Sequence, residues 1–110
     1  MSNHETQGKP RLENWAFYVW MGSPYQAPEA MRQGLVGEVY EDPRHDPSTG
    51  EFSDGHRVMT TAVRHLDLNA GLATTRNTTY RLGKMDPGFA KWLETNGYTL
   101  AQYENAINKT

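Results

Sequence analysis

The sequence predicts a mostly β, α+β domain: a small curved antiparallel sheet or partly open barrel of about five strands, with helices at the C-terminus. Three observations lead there. Aromatic, β-branched and Thr-rich runs recur near residues 15–20, 35–41, 57–66 and 72–82. Clusters of Gly, Pro, Asp and Asn separate most of these runs. After Asp86 the pattern changes to helical spacing between caps.

Residues 1–12 are polar and contain Gly8 and Pro10, which predicts a disordered leader before a single domain spanning 13–110. Trp15 to Trp20 reads as the first strand. Its side chains alternate, with Trp15, Phe17 and Val19 on one face and Ala16, Tyr18 and Trp20 on the other. Both faces are apolar, so the strand belongs either in the middle of a barrel or beneath a second chain. The second alternative leads to an expected homodimer through this strand. A loop follows, then an expected single helical turn from Pro28 to Gln33. Leu35 to Glu41 is the second strand, with Gly37 marking a bulge or a close backbone approach.

Residues 42–56 carry Asp, Pro, Ser and Gly at turn positions and form a long loop, either functional or mobile. Arg57 to Leu66 is the third strand, and its broken alternation at Val63-Arg64 suggests a bulge. Leu72–Thr75 and Thr79–Leu82 form a tight hairpin about Arg76-Asn77-Thr78. A helical tail occupies about 86–107. Asp86-Pro87 supplies a cap and a favourable first position, and Asn96-Gly97 supplies a stop. Phe89, Trp92 and Leu93 share one face, expected to cover the sheet. Thr99 and Gln102 form a capping box ahead of the stripe Leu100, Tyr103 and Ile107.

Composition narrows the chemistry. The chain has 110 residues and no cysteine, so disulfides, zinc–thiolate sites and cysteine nucleophiles are excluded. The expected location is cytoplasmic, with no membrane partner, since no stretch approaches the ~20 apolar residues that span a bilayer. Net charge is −2, which makes nucleic acid an unfavoured partner overall. The charges are unevenly placed. Residues 38–54 hold six acids and one arginine, whereas residues 57–84 hold five bases and one acid. The two segments are expected to pair with each other.

No residue carries a catalytic signature. His45, His56 and His65 lack metal-ligand spacing, and Asp42, Asp46 and Asp54 sit at turn positions outside any calcium-loop pattern. No catalytic residue, metal or cofactor is therefore assigned. The leading binding candidates are Arg57, Arg64, Arg76 and Arg81, whose guanidinium forks suit phosphate or carboxylate, together with Tyr18 and Trp20 for stacking. Exposed strand arginines that keep sheet edges apart explain the same pattern without a ligand.

Gly37-Glu38-Val39-Tyr40, Pro43-Arg44, Thr60-Thr61-Ala62-Val63 and Thr75 to Gly83, continuing through Pro87, Trp92 and Gly97, resemble small uncharacterised bacteriophage and prophage proteins. The resemblance covers about residues 35–98. It implies a small β domain with a C-terminal helix and a mobile-element origin, and it transfers no catalytic residue. The expected function is a non-enzymatic binding protein of the bacterial cytoplasm. In the version that a phage-type origin suggests, it inhibits or sequesters a component of bacterial immunity, with a host protein or a nucleotide signal as its target. Two alternatives stay open: a small metal-dependent nucleotide or phosphoester hydrolase using the 42–56 carboxylates and His56, and a nucleic-acid-binding module using the arginine strands.

Overall fold

The computed structural model describes residues 9–18, 25, 27–28 and 33–109. It contains β1 (Arg11–Tyr18), β2 (Gly34–Tyr40), β3 (His56–Met59), β4 (His65–Asp67), β5 (Leu72–Thr74), β6 (Thr79–Leu82), α1 (Pro87–Asn96) and α2 (Leu100–Asn108). The strands form one open six-stranded sheet in the order β3-β2-β1-β6-β5-β4. The α+β class holds. The sheet is not a closed barrel, it has one strand more than expected, and it is mixed: β1 and β6 run parallel. The amides of Arg81 and Gly83 donate to the carbonyls of Pro10 and Leu12 along that pair. The chain can join them in parallel because β2 to β5 intervene, giving it length to return to the same end.

β1 starts at Arg11, inside the expected leader, and Pro10 is already buried. From Arg11 to Trp15 the strand is paired on both sides, by β2 and by β6 with its extension to Met85. Between Glu13 and Ala16 its register against β2 slips by one residue, at Asn14, which takes a φ of 51°. The bulge changes the inward parity from Leu12 to Trp15 and Phe17. Opposite it, a Cβ on Gly37 would lie 2.9 Å from the Glu13 carbonyl oxygen, so Gly37 answers to close backbone approach. Trp15, Ala16, Phe17 and Tyr18 are all buried within one chain. Burial that the sequence left open between the sheet interior and a partner chain is supplied internally over these residues. Val19, Trp20 and most of the turn expected at 28–33 lie outside the described residues.

The expected third strand is in fact two. Its first part, β3, lies at one edge of the sheet, and its last part, β4, at the other. The break at Val63-Arg64 is a transfer between partners: Thr60 and Val63 donate to Leu35 and Gln33 beside β2, and Arg64 then donates to Thr74 of β5. Six residue steps from Met59 to His65 reach at most ~21 Å. Six flat strands would separate their outer members by about 24 Å. The short connection therefore requires the sheet to curve.

Both helices form where capping chemistry places them. The Asp86 side chain accepts from Gly88 N–H, Gly97 closes α1 in a left-handed conformation, and the Thr99/Gln102 capping box opens α2. They cover one face of the sheet, where Phe17, Phe89 and Tyr103 form the core centre. Phe17 stacks on Tyr103 at 4.6 Å, and Phe89 meets both rings edge-on. Phe89 and Leu93 point into this core as expected. Trp92 is only half-buried and packs at the flank against Tyr25 and Tyr98. Among the described residues no helix is long and apolar enough to cross a membrane.

Candidate interaction site

The 41–54 loop is built on two charge clamps. Glu41 ends β2 with a φ of 59°, a left-handed conformation that costs a non-glycine residue roughly 1–2 kcal/mol. Its amide donates to Asp54 Oδ1, and its carboxylate accepts from Arg11 at 2.8 Å and Arg81 at 2.7 Å. The Arg81 hydrogen bond, with the charges of Arg11 and Arg81, holds the Glu41 carboxyl below the usual carboxylate range. Arg11 also donates to Glu13, and Arg81 to the Lys9 carbonyl.

The second clamp is Asp42–Arg44. The Asp42 side chain is fully buried and accepts both arms of the Arg44 guanidinium, at 2.9 and 2.6 Å. Burial pushes the Asp42 carboxyl up, but the Arg44 side-chain and backbone hydrogen bonds and charge bring it below its ordinary value. Arg44 lies 4.2 Å over the Phe52 ring and also reaches Tyr80 Oη and Thr78 Oγ1. The loop is therefore ordered by its own polar contacts. A shallow cleft of about 280 Å³ lies over it, lined by Glu41, Asp42, His45, Ser53 and Asp54. The carboxylates of Glu41, Asp42 and Asp54 already hold arginines or backbone amides. Among the described residues no three His, Asp or Glu side chains converge to hold a metal ion.

The candidate binding arginines are dispersed. Arg57 is exposed on β3. Arg64 and Arg76 are exposed near the other edge, where the β4–β5 register, continued by one residue, sets Arg64 opposite Thr75, the neighbour of Arg76. Arg81 sits between, held by Glu41. The structure thus places Arg64 and Arg76 toward the β4–β5 side of the sheet and Arg57 at the opposite edge. Tyr18 is buried and donates to the Thr60 carbonyl oxygen across Gly34, which removes it from any ligand-facing surface. Trp20 lies outside the described residues. The expected pairing of the acidic and basic segments is realised at Arg81–Glu41, whereas Arg44 pairs with Asp42 inside the acidic segment.

A feature not anticipated from the sequence is the contrast between the sheet edges. At β4, Asn108 of α2 donates to the Leu66 carbonyl and accepts from the Leu66 amide, and Glu104 accepts from the Leu68 amide. Glu104 and Asn108 are four residues apart, so one face of α2 seals this edge. At β3 no described side chain or backbone group does so. Thr60 N–H donates inward to Leu35, and alternation along the antiparallel pair directs the N–H and C=O of Arg57 and Met59 outward. Met59 is 66% exposed, the one large hydrophobic residue so exposed among those described. The sequence signal was the alternation of Arg57 and Met59 in a four-residue run, legible only once the neighbour of that run is known. Comparison of the chain with protein-family models, with curated proteins and with solved structures finds no match, so the reading of this surface rests on its own geometry.

Proposed function

We propose that this protein is a non-enzymatic binding protein. The observation that carries the reading is the division of its polar groups. The loop acids and their arginines engage one another, while Arg57, Arg64, Arg76 and the outward backbone of β3 are left facing solvent. Groups held in mutual ion pairs are poor general acids or bases, and exposed guanidinium and backbone groups are ready to recognise a partner. In its finer form, the protein acts as a phage-type inhibitor or sequestering protein against a component of bacterial immunity. That form is supported by the resemblance over residues 35–98. The exposed guanidinium groups of Arg64 and Arg76 support a nucleotide signal as target, and the β3 edge supports a host protein.

The test is turnover. Mono-, di- and cyclic nucleotides and a phosphodiester, incubated with Mg²⁺, Mn²⁺ or Zn²⁺, are expected to remain intact. Metal-dependent hydrolysis that disappears in Asp54→Asn or His56→Ala would overturn the reading in favour of the hydrolase.

A further inference from the structure

We infer that the β3 edge takes up an extended segment of a partner protein by strand addition, and that this segment carries an acidic residue two positions after an apolar one. The inference rests on the binding reading above and names its partner chemistry. Strand addition draws affinity from main-chain hydrogen bonds and specificity from alternate side chains. β3 supplies both: two residues with outward backbone groups, and on the face away from the core one cation and one apolar side chain, Arg57 and Met59.

Charge selects the occupant. Arg57 stands opposite Glu38 in the register, yet the Glu38 carboxylate accepts from Asn14 and Tyr40 and makes no ion pair with Arg57. An antiparallel incoming strand would set one residue against Met59 and, two positions later, one against Arg57. An apolar-x-acid segment satisfies both. A second copy of this chain paired antiparallel about Val58 satisfies neither: it sets Arg57 against Met59 and leaves the two arginines as diagonal neighbours, about 7–8 Å apart. Arg57 thus disfavours that self-pairing and suits the edge to an acidic partner.

A random heptapeptide display library panned against the full-length protein tests this. The expected result is enrichment of the apolar-x-acid pattern. Met59→Pro removes an outward N–H while leaving the β2 ladder intact, and the enriched peptide should bind it about tenfold more weakly. Arg57→Glu should shift selection from acid to base at the same position, a readout that does not depend on the proline variant folding. No enriched pattern, or equal binding to wild type and both variants, would overturn the inference. Self-association lost in Met59→Pro would overturn it too, by making a second copy the occupant. Peptides lost instead with Arg64→Ala and Arg76→Ala would sink the edge while leaving a binding protein, whereas hydrolysis in the turnover assay would remove the binding reading itself.

Discussion

One edge of the sheet is sealed and the other is open. At β4 the helix α2 presents Asn108, whose amide supplies one donor and one acceptor to Leu66 and so stands in for a neighbouring strand. At β3 the chain leaves Arg57 and Met59 at the surface. Both edges derive from one stretch that reads as a single strand, so edge character depends on what packs alongside rather than on the strand's own residues. A sealed edge stabilises the fold. An open one is an aggregation hazard unless it is short, charged or occupied, and β3 is both short and charged.

Five expected effects test that contrast and the charge clamps beside it. The largest effect is expected for Tyr103→Ala. This side chain seats α2 on Phe17 and Phe89, and its loss should cost roughly 3–5 kcal/mol, as for other large buried aromatics. Hydrogen exchange should then show the β4 amides opening with the helix; β4 protection that survives would mean α2 does not seal the edge. Arg44→Ala comes next. It leaves the buried Asp42 carboxylate without its fork. The expected cost is about 2 kcal/mol, below that of a wholly buried pair because Arg44 keeps 39% exposure.

The same clamp sets an acid response. Asp42 and Glu41 both have folded-state pKa values below their ordinary ones. Their stabilisation is complete above the unfolded carboxylate pKa and is lost as pH falls through the depressed folded values. Denaturant melts from pH 7 down through the acid range should show this loss, and Asp42→Asn should flatten part of it. An unchanged pH profile in that variant would place the acid sensitivity elsewhere.

Asn108→Ala should cost about 1–2 kcal/mol by leaving the backbone groups of the buried Leu66 without partners. The smallest effect is expected at the open edge, where Met59→Pro should stay within about 0.5 kcal/mol of wild type. Thermal unfolding of these two variants compares the edges directly. Equal losses would mean that β3 is already engaged within the chain.

Much of the fold was legible in the residues. The 72–82 hairpin, the second strand, both helices and their caps follow from local propensity and capping chemistry, which act within a few residues. The buried faces Leu35/Val39 and Phe89/Leu93 follow from periodicity. Of the candidate site, the arginines were visible but their grouping was not. Arg64 and Arg76 lie toward the β4–β5 edge, Arg57 is carried away by the split of the third strand, and Arg81 is taken by Glu41.

By itself the sequence determined the α+β class, the absence of cysteine chemistry, the helix limits and the hairpin, because each depends on residue type or short spacing. Tertiary structure alone decided the parallel β1–β6 pair, the bulge opposite Gly37 and the division of residues 57–66 between two edges. It also decided which edge α2 seals. The physical reason is common to all of these. Each is a choice of partner between segments distant in the chain, set by how the apolar faces pack together, and no local pattern encodes a partner.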